Sequence, residues 1–352
     1  MQKRFTQIFL TNKIFAYSIA IVFFLGSMLI AISVGTVQVP LLDTIQILAG
    51  QLFHLPLNDI DPMYTNIVTN IRLPRVILAG LVGASLAIAG AAFQGLLRNP
   101  LADPYTLGIS SGASVGAVIT IFFNISIPFI GGFTLPFLSI LFSFLTILLV
   151  LLFAQKIERS MKVETIILTG VIFSSFLGAF ISLMIALTGE QLHQIIIWLL
   201  GSVSMRGWDY IKIIMPFFLI GTILLLVNVN ELNAMSFGEE RAQHLGVNVQ
   251  RRKMMVLVAG SILTGASVAV SGTIGFVGLV IPHLTRLLWG PDHKHLLPLS
   301  LLIGSGFLML TDLVSRTIIS PIELPIGVIT ALIGAPVFAA ILLGRKRAER
   351  RR

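Results

Sequence analysis

The residues of this sequence that could make or break bonds do not form a catalytic pattern. The chain has no cysteine, which excludes thiol nucleophiles and thiolate metal ligands. It contains neither G-x-x-x-x-G-K-[ST], which cradles nucleotide phosphates, nor H-E-x-x-H, which binds catalytic zinc. His283 follows Pro282, and His293 and His295 stand in a polar stretch, where isolated histidines are more often structural or solvated than metal ligands. The sequence therefore predicts a chain that is not an enzyme and has no metal site or cofactor.

Charged side chains inside apolar parts of the sequence are few, and two groups stand out. Asp312 and Arg316 lie four residues apart, a spacing that places them on one face of a helix as an ion pair. Arg72 and Arg75 enclose a Leu-Pro pair at the start of another apolar run. These two arginines either reach for the membrane interface as flanking charges or form, with Arg316, a basic patch for an acidic partner.

The segment 97–108 is too patterned to be a plain connector. Its Pro100, Pro104 and Gly108 favour non-helical backbone close to the neighbouring apolar runs. The segment is either a simple loop or the lining of the mouth of a pathway.

The segment 230–253 carries the signals of a small helical unit. Ser236 and Glu239 have capping-box spacing, and Gly246 suits the stop of the short helix that follows. A second short helix is expected from Asn248. The unit is either a rigid knob that fits a groove in another protein or an amphipathic helix on lipid headgroups. The short helix contains Glu240, Arg241, Ala242 and Leu245.

The composition decides which elements hold these residues. Of the 352 residues, 56% are hydrophobic and 11% are charged, against roughly 25% charged residues in soluble domains. So little charge excludes a soluble enzyme and a disordered chain, and predicts an all-α membrane protein with one transmembrane domain over residues 1–352. The first of ten apolar runs is too long for a cleaved signal peptide and is expected to be a retained helix. The runs cover residues 14–36, 73–97, 108–128, 135–155, 164–187, 211–229, 254–271, 274–290, 296–315 and 325–344.

The distribution of positive charge predicts the orientation of these runs. With a cytoplasmic N-terminus and alternating spans, 19 of the 24 lysines and arginines fall on the cytoplasmic side and five on the outer side. This asymmetry follows the positive-inside rule and requires an even number of spans. The basic tail 345–352 is then a cytoplasmic topology anchor or, alternatively, a site for lipid or a partner. The excess charge is therefore no sign of nucleic-acid binding.

Two outer segments and one internal similarity complete the expected architecture. Segments 37–71 and 188–210 are too long for turns, and the apolar stretch Ile195–Leu200 predicts a re-entrant or interfacial helix. Residues 83–90 and 265–272 agree at five of eight positions and run in opposite directions in this topology. The match indicates either an inverted repeat or the chance recurrence of small residues that pack helices closely.

From about residue 15 to residue 344, the sequence resembles the permease subunits of the iron-siderophore, haem and vitamin B12 class of ATP-binding-cassette importers. The resemblance rests on a series of motifs in one order along the chain. They are Arg72-Leu-Pro-Arg75, Gly90, Gln94-Gly95, Asn99-Pro-Leu-Ala-Asp-Pro104, Leu107-Gly108, Ser111-Gly-Ala113, Trp198, Leu200-Gly-Ser202, Leu245-Gly246, the segment Gly272 to His283, Arg286, Asp312, Glu323-Leu-Pro-Ile-Gly327 and Gly334-Ala-Pro-Val337.

This resemblance implies a fold like that of vitamin B12 importer permeases, with ten transmembrane helices per subunit and both termini in the cytoplasm. It implies two permease subunits, identical or different, around a central pathway in a bacterial plasma membrane. Two cytoplasmic ATPase subunits would drive transport, and an extracytoplasmic binding protein would deliver the cargo. The implied cargo is an iron-siderophore complex, with haem and cobalamin left open. An ATPase-independent secondary transporter is the alternative, which the scarcity of mid-membrane acids disfavours.

The resemblance also assigns roles to particular residues. Arg72, Arg75 and Arg316 would receive acidic residues of the binding protein, and Asn99 and Leu101 would form an inner gate. Exchange of Arg72 and Arg75 for glutamate would then cut uptake without loss of membrane insertion. The coupling helices that contact the ATPase would lie at about 236–248 and include Ser236, Gly238, Glu239, Glu240, Ala242, Leu245 and Gly246.

Overall fold

The computed structural model describes residues 12–54, 60–159 and 161–349, and the side chains of the predicted basic tail 345–352 lie outside this description. Within the described residues the secondary structure is entirely helical. The helices are α1 (Lys13–Ser33), α2 (Leu41–Phe53), α3 (Pro62–Asn66), α4 (Leu73–Leu96), α5 (Ile109–Phe122), α6 (Thr134–Ile157), α7 (Val163–Leu187), α8 (Leu192–Leu200), α9 (Trp208–Val227), α10 (Val229–Ser236), α11 (Glu239–His244), α12 (Val249–Ser271), α13 (Val277–Trp289), α14 (His293–Thr317) and α15 (Ile326–Glu349). A π-helical turn (Ile67–Arg72) joins α3 to α4, and short 3-10 turns cover Pro104–Leu107 and Gly131–Phe133.

Each of the ten predicted apolar runs coincides with a helix. Seven helical stretches in the described residues are long and apolar enough to cross a membrane. The all-helical, polytopic membrane architecture is therefore confirmed. The other three runs correspond to α5, α13 and the described apolar part of α15, which are shorter, so the number of ten crossings stays a prediction. The seven stretches are Lys13–Ser33, Pro62–Leu96, Gly131–Ile157, Val163–Leu187, Trp208–Val227, Val249–Ser271 and His293–Thr317.

Helix α4 occupies the centre of the bundle and packs against α12, α13 and α14. Glycine makes the closest of these approaches possible. A Cβ on Gly90 would lie 1.9 Å from the carbonyl oxygen of Gly278, and one on Gly83 would lie 2.3 Å from that of Gly304. In a membrane, close backbone contact of this kind holds helices together, since apolar surface gains little by leaving lipid.

Segments 37–71 and 188–210 are more than turns: the first contains α2 and α3, and the second contains α8. The expected interfacial helix is present as α8, which begins at Leu192 and buries Ile195 and Trp198. The two similar segments lie on α4 and α12, which pack against each other. Their relation by an inverted repeat stays a prediction.

Candidate functional site

The three predicted docking arginines come together at one end of the bundle. Arg75 on α4 donates from Nε to both carboxylate oxygens of Asp312, at 3.0 and 3.1 Å, and from Nη2 to Oδ1 at 2.9 Å. Its Nη1 donates to Glu323 Oε1 at 2.8 Å. Arg75 is 8% exposed and Asp312 is fully buried. Partial burial would raise the pKa of Glu323, but its hydrogen bonds and the Arg75 charge hold that pKa below its ordinary value.

Arg316 and Arg72 complete this group by binding the end of α1. Arg316 lies 3.6 Å from Asp312 through its Nε, so the predicted ion pair one helical turn apart is confirmed. Its Nη2 donates to the Ala31 carbonyl. Arg72 donates from Nη1 to the carbonyls of Ile32 and Ser33, each at 2.8 Å. Both arginines thus satisfy carbonyls that the last turn of α1 leaves without helical partners.

We call Arg72, Arg75, Arg316, Asp312 and Glu323 the arginine network. All three arginines are buried and bound to groups of this chain, so the expectation of an exposed basic patch is wrong for this conformation. The expectation that Arg72 and Arg75 reach the interface as flanking charges is wrong for the same reason. An unpaired charge in a low-dielectric interior is costly, and carboxylates and carbonyls of the same chain offset that cost. A docking role for these arginines stays a prediction.

A cavity of about 790 Å³ adjoins the arginine network through Glu323. Its wall combines acidic, basic and neutral polar side chains with the indole of Trp198. Arg206 lies over the ring of Tyr210, 4.4 Å from its centroid. Polar lining residues include Glu190, His193, Gln194, Ser202, Ser204 and Arg206.

At the other end of the bundle, α10 and α11 form a compact unit, which we call the knob (residues 229–248). The predicted capping box is wrong here. Ser236 is the last residue of α10, and its hydroxyl donates to the Leu232 carbonyl at 2.9 Å. Gly238 is the N-cap residue of α11 instead, and α11 begins at Glu239. The φ of +114° at Gly238 turns the chain sharply between the two helices and suits only glycine.

The end of the knob follows the sequence signals closely. The Gly246 N–H donates to the Gln243 carbonyl at 2.9 Å, and the Val247 N–H donates to the Ala242 carbonyl at 3.0 Å. This is a Schellman motif with Gly246 in the left-handed conformation, so the predicted stop is confirmed. Asn248 caps the next helix by accepting from the Arg251 N–H at 3.1 Å. That helix is α12 itself, so the expected second short helix and the spanning helix are one element.

A buried lysine ties the knob to the bundle. Lys253 on α12 is 2% exposed, and its Nζ donates to Glu239 Oε1 at 2.7 Å and to the Met161 carbonyl at 2.9 Å. Arg252 adds an ion pair with Glu231 of α10 at 3.1 Å. Through these contacts a displacement of the knob reaches α12 and the connection between α6 and α7 directly.

The two predicted gate residues lie beside the knob. Asn99 accepts from the Leu101 N–H at 2.9 Å, which fixes a tight turn after α4. Leu97 and Arg98 share a groove with the knob residues 237–241. Further along, Tyr105 donates its hydroxyl to the Ile274 carbonyl at 2.8 Å and anchors the segment to the start of α13. Burial raises the pKa of Asp103 to about 6.

Sequence reasoning missed the partners of two residues in these sites, Glu323 and Lys253. Glu323 was noted as part of a motif but not as a partner of Arg75, and Lys253 only as a positive charge of the inner side. Their partners lie 248 and 14 residues away, in separate elements. A buried lysine has no signature of its own, because the three positive charges 251–253 look equivalent in the sequence. Among the described residues no group of three or more His, Asp or Glu side chains could hold a metal ion.

These features define a class of protein: a polytopic helical membrane protein with buried ion pairs at one end of its bundle and an anchored knob between two helices at the other. The sequence profile of the FecCD transport family matches residues 21–344. The chain therefore belongs to the FecCD transport family and is an ABC importer permease.

Individual relatives and a solved structure agree with this assignment. The chain is 62% identical over 351 residues to the uncharacterized ABC transporter permease protein YvrB of Bacillus subtilis, covering 99% of each chain. It is 42% identical to the cobalamin import system permease protein BtuC of Halobacterium salinarum, over 80% of this chain and 74% of the relative. An inward-facing structure of a putative metal-chelate type ABC transporter superposes with a TM-score of 0.81 at 33% identity, over 95% of this chain and all of that one.

Proposed function

We propose that this chain is the transmembrane subunit of an importer for metal chelates, driven by ATPase subunits that bind the knob. Two permease subunits would enclose the pathway, each with ten spans and both termini in the cytoplasm. The chain itself moves cargo and hydrolyses nothing. The observation that carries the proposal is the anchored knob: a separate pair of helices, fixed to α12 by the ion pair between buried Lys253 and half-buried Glu239, with exposed apolar side chains.

The exposed surface of the knob fits a protein partner better than it fits water. Phe237 is 68% exposed and Leu245 is 70% exposed, although both are large apolar residues. They stand at either end of α11, whose own residues include Glu239, Glu240 and Arg241. Apolar anchors surrounded by charged side chains are typical of the central contacts of protein interfaces. Lys253 and the Schellman turn keep these anchors in place before a partner binds, which lowers the entropic cost of association.

The binding protein is proposed to dock at the end that carries the arginine network. Because the arginines are held inside the chain, we infer that they shape the outer mouth by fixing α1, α4 and α14 together. Direct contact with acidic residues of the binding protein would require that mouth to open. The adjacent cavity of about 790 Å³ is then the first space that cargo meets.

We propose an iron-siderophore complex as the cargo. The cobalamin permease and the metal-chelate transporter among the similar proteins both carry names of metal chelates, which supports this class. The mixed charges of the outer cavity suit a chelate with both polar and charged groups.

Substitutions in the knob test the proposed ATPase contact. We expect Leu245→Asp and Phe237→Asp to abolish copurification of the cognate ATPase subunit, because each places a charge at an apolar anchor. Met205→Asp is the matched control, since Met205 is also apolar and 98% exposed but lies outside the knob. Equal retention of the ATPase by all three variants would contradict the proposal. Cargo movement in liposomes that contain this chain alone and a proton gradient would favour a secondary transporter.

The cargo is tested by uptake in proteoliposomes that contain the chain and its ATPase. The binding protein and iron-55 bound to a hydroxamate siderophore are added outside the proteoliposomes. Iron-55 is expected to accumulate inside only when ATP is present on the side of the membrane that carries the ATPase. Excess unlabelled ferric siderophore should compete, whereas cobalamin, haem and molybdate should not. Accumulation of labelled cobalamin or molybdate in place of the ferric complex would overturn the cargo assignment and leave the permease assignment intact.

A further inference from the structure

A second cavity, of about 860 Å³, lies beside the knob and has an unusual charge. Its wall contains the guanidiniums of Arg98 and Arg286 and the imidazoles of His283 and His293, together with Gln94, and no carboxylate. Pro100, Leu287 and Ile341 supply apolar parts of the wall. A cavity with this lining favours an anionic group.

Of the two arginines of this cavity, Arg286 is half-buried and Arg98 is exposed, and neither has a carboxylate partner in the described part of the chain. Arg75, Arg252, Lys253 and Arg316 each form an ion pair with a carboxylate. No ion pair among the described residues includes Arg98 or Arg286. Arg286 donates from Nη1 to Gln94 Oε1 at 3.1 Å, which uses one of its five N–H donors.

Gln94 holds Arg286 in a defined orientation. Its amide nitrogen donates to the carbonyls of Gly278 and Leu279, at 3.2 and 3.0 Å, so its oxygen is left to accept from Arg286. A guanidinium fixed in this way presents its remaining donors to a carboxylate with little loss of side-chain freedom. Asp292 forms no ion pair with Arg286; its carboxylate accepts instead from Asn233 at 2.7 Å and from the Lys294 N–H at 3.0 Å.

Part of the cavity wall comes from the connections between helices. Pro100 lies in the connection after α4, Ser236 ends α10, and Pro291 lies between α13 and α14. The cavity adjoins the knob, since the knob residue Ser236 lines it and Arg98 lines both this cavity and the groove along residues 237–241. A protein seated on the knob would therefore lie next to the cavity.

We propose that this cavity, which we call the arginine cavity, receives an acidic side chain of the ATPase subunit as a second contact besides the knob. The inference rests on the proposed function, because it requires an ATPase on the knob. The carboxylate of an Asp or Glu binds Arg286 and Arg98 together, and the pair supplies the missing counter-charge. Movement of the ATPase subunit is then transmitted to α4 and α13 through this contact, and to α12 through the knob.

The test measures how much coexpressed cognate ATPase subunit stays bound to the affinity-purified full chain as salt is raised. Arg98→Glu and Arg286→Gln are expected to lower the affinity by about tenfold or more, since each removes part of a desolvated charge pair. Arg251→Glu is the control, because it changes an exposed arginine of the same end that does not line the cavity. Exchange of the contacting acidic residue of the ATPase for lysine should restore the binding of that ATPase to the Arg98→Glu chain. Thermal melting of each purified variant checks its folding, and Arg98 is exposed, so its exchange tests the proposal even where Arg286→Gln is unstable.

The outcomes separate this inference from the proposed function. If the wild-type chain retains the ATPase and both cavity variants retain it equally at all salt concentrations, this inference fails alone. If the wild-type chain retains no ATPase, both fail. Loss of copurifying phospholipid phosphorus from the cavity variants, with ATPase retention unchanged, would assign the cavity to an anionic lipid headgroup and overturn the proposal.

Discussion

Arg75 shows how much one residue of this chain depends on distant parts of the sequence. It binds Asp312 and Glu323, which lie 237 and 248 residues further along. The spacing of Asp312 and Arg316 predicted an ion pair, and that pair forms, yet the closer partner of Asp312 is Arg75. A local pattern cannot reveal this choice, because the distance between two helices depends on how the whole bundle packs.

Loss of Arg75 is expected to destabilise the chain strongly. Arg75→Gln leaves Asp312 buried without its main counter-charge, which costs about 3–5 kcal/mol of unfolding free energy when a buried pair is broken on one side. Arg75→Gln combined with Asp312→Asn should recover part of the loss, since the buried negative charge is then gone, while Arg316 loses its ion pair and keeps only the Ala31 carbonyl. Thermal denaturation of the purified variants in detergent measures both effects.

The control for this prediction is Lys212→Gln, which breaks an exposed pair with Asp209 worth about 0–1 kcal/mol. A melting temperature of Arg75→Gln as high as that of Lys212→Gln would contradict the structural role.

The same melting measurement also tests the docking hypothesis. Arg72→Glu with Arg75→Glu would insert and fold normally if both arginines only received a partner, whereas their burial predicts that the double variant loses stability.

Asp103 gives the stability of the chain a pH dependence. Burial raises its pKa to about 6, above the value of about 3.9 in an unfolded chain. The folded state then holds the proton more tightly, so this stabilisation is complete below about pH 4 and is lost as the pH rises through about 6. Asp103→Asn removes the titration and keeps an oxygen that can accept from the Tyr105 N–H.

We expect the melting temperature of the wild-type chain to fall more between pH 5 and pH 7.5 than that of Asp103→Asn. Asp209→Asn is the matched control, because the Asp209 side chain is 61% exposed and its exchange should leave the wild-type slope unchanged. Parallel melting curves for wild type and Asp103→Asn across this range would show that Asp103 does not titrate there.

At the scale of helices, apolar length and glycine position carried most of the information. All ten predicted runs are helical, and Gly246 stops the knob helix as expected. The start of α11 was placed wrongly because Ser236 matched a capping pattern, while the turn needed a left-handed residue at Gly238. Backbone hydrogen bonds inside a helix are local, so its existence follows from nearby residues, whereas its first residue depends on the turn that the neighbours permit.

The contact of α4 with α13 is expected to tolerate no side chain at Gly90. Gly90→Ala would place its Cβ 1.9 Å from the Gly278 carbonyl oxygen, so one helix must move at a cost of about 1–3 kcal/mol. Gly26→Ala in α1 is the matched control, because nothing lies within 4 Å of the added atom and alanine favours a helix by roughly 0.5–1 kcal/mol. Melting temperatures should fall for Gly90→Ala and hold or rise for Gly26→Ala; the reverse order would refute the close contact.

At the scale of the whole molecule, the predicted orientation in the membrane would bring each end of the bundle to its proposed partner. The native chain has no cysteine, so single cysteines can report on each end without background. We expect Glu240→Cys in the knob to react with an impermeant maleimide only from the cytoplasmic side. Met205 lies outside the knob and is 98% exposed. Met205→Cys should therefore react only from the outer side.

Intact cells and inverted membrane vesicles give the two accessibilities in separate experiments. Labelling of both cysteines from the same side would contradict the alternating topology and the even number of spans. Labelling of the knob from outside would also remove the proposed ATPase contact, since the nucleotide and its ATPase are cytoplasmic.

The sequence by itself determined that this chain is a helical membrane protein, where its apolar helices lie and that a short helical unit with a glycine stop stands between two of them. These properties depend on composition, on runs of about 20 residues and on local stop signals, all of which act over short distances along the chain. The tertiary structure alone decided that Arg72, Arg75 and Arg316 are buried in a network with Asp312 and Glu323, that Lys253 anchors the knob, and that Arg98 and Arg286 share a cavity without a carboxylate. The physical reason is that a charge must find its counter-charge wherever helix packing brings one near, and packing joins residues that the sequence separates by hundreds of positions.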